Sequence, residues 1–292
     1  MSKPQQVLVD GFYAAYRSFF AFEGIRTKDG RSSGLIFGFI KTLLSLKKRF
    51  PCAELVVCWD SPSTWRKALY APYKGTRSKT ARFDTRQIYA AADFVRAVGV
   101  KQALAKGHEA DDVIGSLVDQ EMHNIIFSRD RDFCQLVCDG VTEVYSPKSG
   151  ENPETVYTES VVLDKFGVSP NRLLHYRMLR GDSSDNLPGL PRFPSKKILE
   201  LVNTHDTVDE ILDSPRVTLT EHQKTALTDF RPQALLNLQL MRILQDLDVK
   251  VIEGNYNRQR AETLLGEFEL HSLRTSISLF LDQGEEQLSF FA

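Results

Sequence analysis

Short apolar runs alternate with helix-length stretches through the first half of the chain. Val7–Val9, Leu55–Trp59, Asn124–Phe127 and Val141–Tyr145 are strand candidates, and Gly34–Arg49, Thr85–Val98, Ala110–Gln120 and Arg131–Val137 are helix candidates. This alternation predicts an α/β fold with a mostly parallel central sheet and helices on both faces. Ligands in such folds gather beyond the carboxyl ends of the strands. Asp10, Asp60 and Asp130 stand at or just after those ends.

From about Tyr157 the pattern turns helical, with segments at Ser160–Phe166, Pro170–Leu179, Ser195–Val202, Val208–Leu212 and Thr220–Leu244. Pro188, Pro191 and Pro194 interrupt the series within one short loop. The expected organisation is a core over residues 1–156 and a helical subdomain over 157–250. A helical extension over 251–281 and a flexible tail over 282–292 follow.

Composition narrows the class. A hydrophobic content of 42% and a charged content of 26% describe an ordinary globule. No apolar run reaches membrane-spanning length, and Met1–Gln6 has no stretch to serve as a signal peptide, so the cytoplasm is expected (a host's cytoplasm if the gene is a phage's). Cys52, Cys58, Cys134 and Cys138 are too few for a disulfide scaffold. Cys134 and Cys138 lack a second Cys/His pair with zinc-like spacing, so reduced, mostly buried thiols are expected.

The net charge of −1 argues against a nucleic-acid partner until its distribution is seen. Between Ser61 and Lys106 ten basic residues face two acids, Asp84 and Asp93. The compensating acids lie in tight clusters elsewhere, a pattern suited to gripping phosphate and binding cations.

The first cluster is Glu109-Ala110-Asp111-Asp112 at a helix start. One acid there would complement the helix dipole; three repel one another, which bound cations relieve. Oxygen-only ligands favour magnesium or manganese over zinc. Asp130 and Asp132 form the second cluster, after the Ile125-Ile126-Phe127 strand, and Asp182 and Asp185 the third, in Gly181-Asp182-Ser183-Ser184-Asp185-Asn186. As an isolated pattern the second is more often a turn or cap and the third also reads as a loop with an N-cap, while Asp10 and Asp60, taken singly, are evenly balanced between turn and site. Nine carboxylates with Asp10 and Asp60 make a two-cation site the economical reading, suited to phosphodiester hydrolysis.

The order and wording of these clusters resemble the 5′ nuclease domain of bacterial DNA polymerase I and its stand-alone phage and bacterial relatives, the flap endonuclease superfamily. The resemblance runs from Val7 to about Val251, through Val9-Asp10-Gly11, Trp59-Asp60, Trp65-Arg66, Tyr73-Lys74-Gly75-Thr76-Arg77 and the three clusters. It implies a PIN-like core and a helical subdomain built around a helix–three-turn–helix. It implies Mg²⁺ or Mn²⁺, two ions, held by Asp10, Asp60, Glu109, Asp111, Asp112, Asp130, Asp132, Asp182 and Asp185. A basic arch around residues 66–86 would put Lys74 and Arg77 on the scissile phosphate, with Arg66 a further phosphate contact and Tyr73 able to stack on an unpaired base. The implied partner is DNA with 5′ ends, flaps or nicks, with RNA–DNA primers compatible, cut by a monomer.

Two departures stand out. The family's Gly-x-Pro-Gly-x-Gly loop reads Gly189-Leu190-Pro191-Arg192-Phe193-Pro194 here, followed by Ser195-Lys196-Lys197. Pro194 offers no N–H, while Arg192, Ser195, Lys196 and Lys197 supply side-chain contacts to duplex phosphates. Whether the potassium site that the family places in this loop survives is left open. Arg129 replaces a glycine, with either a carboxylate or a phosphate as its partner. Two rivals compete with the nuclease reading. A non-catalytic DNA-binding relative would lack some of the nine acids, and none is missing; an RNA-directed PIN-like nuclease would be shorter and lack the arch. Finally, Gln287-Leu288-Ser289-Phe290-Phe291-Ala292 resembles the peptides with which bacterial replication enzymes hold the sliding clamp. Leu288, Phe290 and Phe291 would fill a pocket and Gln287 would hydrogen-bond at its rim; the alternative is that the two phenylalanines fold back on the core.

Overall fold

The structure, a computed structural model, describes residues 3–62, 64–75, 85–214 and 216–280. They fall into two compact units, one of residues 3–62, 85–129 and 245–280, the other of residues 64–75, 130–214 and 216–244. The sequence division stands at 156/157 and 250/251; the units part at 129/130 and 244/245.

The chain starts the first unit with β1 (Gln5–Asp10), α1 (Gly11–Ala21), α2 (Gly34–Arg49) and β2 (Glu54–Trp59). A short helix, α3 (Trp65–Leu69), belongs to the second unit, after which α4 (Thr85–Ala97), β3 (Lys101–Leu104), α5 (Ala110–Leu117) and β4 (His123–Phe127) continue the first. The second unit then takes a 3-10 turn at Arg131–Leu136, β5 (Thr142–Ser146), β6 (Thr155–Tyr157), α6 (Glu159–Phe166) and α7 (Pro170–Arg180). After a 3-10 turn at Ser183–Asp185 it adds α8 (Ser195–Thr204), α9 (Val208–Asp213) and α10 (Glu221–Met241). The chain returns to the first unit with β7 (Lys250–Ile252) and α11 (Arg258–Glu267).

The first unit's strands run in the order β4-β1-β2-β3-β7. The first four are parallel, with Val7 level with both Leu55 and Ile125, and Val57 with Gln102. The edge strand β7 is antiparallel, Ala103 facing Val251. Val7, Leu8 and Val9 are wholly buried, as continuous apolar strands between two helical layers should be. Parallel pairing brings the carboxyl ends of β1, β2 and β4 to one edge, which is what the sequence pattern predicted.

α2 keeps its predicted bounds, because Leu35, Ile36, Phe39, Ile40 and Leu43 form one wholly buried stripe and Lys47–Arg49 complement its carboxyl end. β3 escaped the apolar pattern because it carries Lys101 and Gln102. Gln102 is buried nonetheless, accepting from Trp59 Nε1 at 2.9 Å and donating to the Ala92 carbonyl at 3.0 Å. The helix expected at Arg131–Val137 is a 3-10 turn. In the second unit β5 and β6 pair antiparallel, and α10 opens with a capping box in which Thr220 and Gln223 bond each other's backbone. Cys58 and Cys134 are buried thiols, while Cys52 and Cys138 are exposed, so only half of the cysteines are buried as expected.

Candidate active site

In the first unit the acids occupy the carboxyl edge of the sheet. Asp10 ends β1 and caps α1: one carboxylate oxygen accepts the Tyr13 N–H at 2.8 Å, the other the Ser128 hydroxyl at 3.0 Å. The turn between β1 and α1 needs Gly11, since a Cβ there would lie 2.7 Å from both the Cys58 carbonyl oxygen and the Trp59 ring. Asp60 follows β2 and accepts the Ala110 N–H at 2.6 Å, at the start of α5. Two further bonds tie these segments together, Ser61 N–H to the His108 carbonyl at 2.9 Å and Gly107 N–H to the Ser61 hydroxyl at 3.1 Å. Glu109 is buried at the N-cap of α5, and Asp111 and Asp112 lie in its first turn, where the helix dipole favours negative charge. Asp112 is wholly buried with its carboxylate 3.4 Å from His108 Nδ1. Five predicted ligands thus sit on two neighbouring strand ends and one helix start.

The second unit holds the other four. Asp130 caps the 3-10 turn, accepting the Asp132 N–H at 2.9 Å. Asp182 caps the next one, with one oxygen accepting the Ser184 N–H and hydroxyl, each at 2.7 Å. Its other oxygen accepts from Arg177 at 2.6 Å, and the same guanidinium nitrogen lies 2.6 Å from Asp132 Oδ1. Burial, reinforced by Asp130, Asp182 and Asp185, pushes the Asp132 carboxyl up to about 7 against the pull of Arg177. Burial acts on Asp182 in the same direction, but the Ser184 hydrogen bond and Arg177 hold its carboxyl below the ordinary range. Gly181 starts this loop with φ +68°, and a Cβ there would meet the Gly189 nitrogen at 2.4 Å. A cleft of about 960 Å³ opens beside Asp182, bordered by Arg131, Lys165, Arg177, Arg180, Tyr70 and Tyr176.

These residues suit a hard cation. The donors are all oxygen, and Asp132 Oδ1 is a buried acceptor with no aligned hydrogen bond. In neither unit do three or more His, Cys, Asp or Glu among the described residues already surround one point. Like-charged carboxylates bonded to backbone caps splay apart until a cation draws them in.

The arch expectations need correction. Tyr73 is 3% exposed, in a cluster with Leu187, Leu240 and Met241, so its ring is core and has no face for a base. Arg66 is 2% exposed and lies over Trp65, donating to the carbonyls of Leu240 at 2.7 Å and Arg242 at 2.8 Å. It satisfies carbonyls left open at the end of α10 and is not a phosphate contact. Residues 71–75 form turns, not helix. Lys74 is half-buried with φ +53°, and its N–H donates to the Asp185 carbonyl at 3.0 Å. Asn186 holds the same turn through the Pro72 carbonyl at 3.1 Å. Arg77 and the tail residues Gln287, Leu288, Phe290 and Phe291 lie outside the described residues.

Between α7 and α8, Arg192 adopts φ +56°, keeping the left-handed backbone that a glycine would supply. Pro194 is the N-cap of α8, whose first turn receives no side-chain cap. Arg192 and Lys196 are exposed, Ser195 accepts from Arg180 at 3.1 Å, and Lys197 pairs with Glu200 at 2.7 Å. Sequence reasoning missed Arg177; its signal was a basic residue at the end of a helix running directly into an acidic loop.

The N-terminal resolvase-like domain of the 5′-3′ exonucleases matches residues 5–167, and their C-terminal SAM fold matches residues 168–263. The chain belongs to the 5′-3′ exonuclease family. It is 30% identical over 293 residues to the 5′-3′ exonuclease of Aquifex aeolicus, covering 97% of this chain and 98% of the relative. It is 33% identical over 282 residues to the DNA polymerase I of Chloroflexus aurantiacus and 29% over 277 residues to that of Bacillus subtilis. These matches take in 92% and 91% of this chain but only 30% and 31% of the polymerases' own length. Among solved structures, zinc-bound T5 5′-exonuclease matches with a TM-score of 0.66 at 17% identity, over 93% of this chain and 99% of that one. The catalytic core of Rad2 in complex with DNA substrate matches at 0.62 and 14%, over 96% and 92%. The α/β core with its helical C-terminal part is thus the family fold. No helix among the described residues is long and apolar enough to cross a membrane.

Proposed function

We propose that this family member is a divalent-metal-dependent 5′-3′ exonuclease and structure-specific 5′ flap endonuclease, hydrolysing phosphodiester bonds of DNA in replication and repair. The observation that carries the reading is Asp132, largely buried among Asp130, Asp182 and Asp185 with one guanidinium shared between it and Asp182. The fold relatives support it, since T5 5′-exonuclease has been solved with divalent metal ions and both Rad2 and human GEN1 with DNA. The nine carboxylates would hold two Mg²⁺ or Mn²⁺ ions. Such ions lower the pKa of an attacking water and neutralise charge on the attacking and leaving oxygens.

The chain's own groups position the substrate. Lys74, tied by its backbone to Asp185, would hold the scissile phosphate, with Arg77 as its companion. Arg192, Ser195, Lys196 and Lys197 at the start of α8 would grip duplex phosphates, where free backbone N–H groups favour anions. RNA–DNA primers fit the same grip because these contacts read phosphate rather than base. The protein would act as a cytoplasmic monomer. The tail Gln287–Ala292 would tether it to a sliding clamp, raising its concentration at primer junctions. Deleting that tail should leave cleavage of naked DNA intact and abolish co-elution with the clamp; unchanged co-elution with a lowered melting temperature would contradict the tether.

The deciding experiment digests 5′-labelled flap, nicked, single-stranded and RNA-primed substrates with and without magnesium. Magnesium-dependent release of short 5′ products from flap and nicked DNA is expected. Cleavage in chelator, or binding without cleavage, would contradict the reading.

A further inference from the structure

Arg177 stands among carboxylates where the sequence pattern offered only acids. Its side chain leaves α7 largely buried, and one nitrogen, Nη2, lies 2.6 Å from Asp132 Oδ1 and 2.6 Å from Asp182 Oδ2. The contact with Asp182 is an aligned hydrogen bond, whereas Asp132 Oδ1 has no such bond. Arg177 Nε is also buried with no hydrogen-bond partner. An arginine built to brace one loop presents its planar fork to a single carboxylate in two parallel bonds. Arg177 instead sets one corner of the guanidinium between two acids and leaves part of the fork idle. It serves both as a shared positive charge.

The acids offer that charge the oxygens a metal ion would want. The remaining oxygen of Asp182 already accepts two bonds from Ser184, so Oδ2 is its least committed atom, and Arg177 holds it. We infer that Arg177 is an internal counter-ion of the Asp132–Asp182 pair, holding the two carboxylates together in the ion-free protein and competing with a divalent cation for the same oxygens. This rests on the divalent-ion reading of the site. The adjoining cleft, lined also by Arg131, Lys165 and Arg180, gives the displaced guanidinium room to leave the acids and phosphate oxygens to meet instead. Ion loading and the freeing of a cation for the substrate strand become one event. Arg177 is on this account a positioning residue, acting through the carboxylates it holds.

The test uses the full chain stripped with chelator. Mn²⁺ uptake is read from loss of the free-ion electron paramagnetic resonance signal, and thermal melting is followed in chelator. Arg177→Met, neutral and unbranched, should bind Mn²⁺ about tenfold more tightly, because a resident charge has been removed from the site. It should also melt at a lower temperature in chelator at pH 8. Arg177→Lys should restore both values toward wild type, and Arg177→Gln gives the same comparison if the Met variant does not fold. A merely structural arginine moves Mn²⁺ affinity the other way, since a loosened site binds more weakly. Unchanged or weaker Mn²⁺ binding by the neutral variants, with wild-type binding intact, overturns the counter-ion role and leaves the divalent-ion reading standing. A wild type that takes up no Mn²⁺ overturns both.

Discussion

The two acidic regions solve one electrostatic problem in different ways. In the first unit Asp10 and Asp60 accept the N–H groups of Tyr13 and Ala110, each bond fastening a helix start to a strand end, and Asp10 also accepts the Ser128 hydroxyl just past β4. Their position is a by-product of capping, so the fold itself holds them. In the second unit Asp132 and Asp182 share a guanidinium, and Asp132 is driven up to about 7 by burial and by its acidic neighbours. The second region carries stored repulsion that a cation would release.

Substitutions can break this contrast. Asp130→Asn or Asp132→Asn should lower single-turnover cleavage by about 10²-fold or more while DNA binding persists. Asp10→Ala should lose as much activity. The two sides should part in stability. Asp10→Ala removes a helix cap worth about 1 kcal/mol, whereas Asp132→Asn removes repulsion and should raise the melting temperature in chelator. Equal destabilisation by both would erase the contrast.

On the proposed role of Lys74 at the scissile phosphate, Lys74→Ala should slow the chemical step more than it weakens affinity. Lys196→Ala should instead weaken duplex binding and reduce the salt slope by about 0.9. A Lys74→Ala protein altered in affinity alone would remove the residue from the reacting centre. Tyr73→Ala should cost about 3–5 kcal/mol of stability, because its ring fills the cluster with Leu187, Leu240 and Met241. Lost DNA affinity with unchanged melting would instead mark it as a base-stacking residue.

The pH response gives the smallest effect and separates the regions most cleanly. A carboxyl whose folded pKa is raised contributes stability that is fully present below its ordinary value and lost as pH rises through the raised one. For Asp132 that window runs from 3.8 to about 7. In chelator, wild type should therefore lose stability across this window relative to Asp132→Asn, and Mg²⁺ should restore it increasingly toward pH 7. Parallel melting curves for the two proteins would show that Asp132 is not strained.

Much of this was legible in the chain. Strands β1, β2 and β4 announced themselves as continuous apolar runs, and acids at the end of β1 and directly after β2 could only fall at the carboxyl edge of the sheet. Tertiary partners hid the rest. β3 reads as polar until Gln102 is seen bonded to Trp59, and α1 follows β1 with no loop to mark its start. Arg66 and Tyr73 sit in a basic, apparently exposed segment, yet α10 and the loop containing Leu187 bury both. No local pattern records a contact with a helix some 170 residues away, as in the Arg66 to Leu240 bond. Arg177 was overlooked for the converse reason: its place before an acidic loop shows in the chain, but nothing local shows that Asp132 meets the same guanidinium.

The central claim is that these carboxylates make a divalent-ion site for phosphodiester hydrolysis. Its most direct test is the single-turnover rate of 5′-flap cleavage as Mg²⁺ is added back to chelated wild type and to Asp132→Asn. The account predicts no cleavage by either protein in chelator, a saturable rise for wild type, and a greatly reduced rate for the variant at every concentration. Cleavage by wild type in chelator, or an Asp132→Asn protein that follows the wild-type curve, would contradict it.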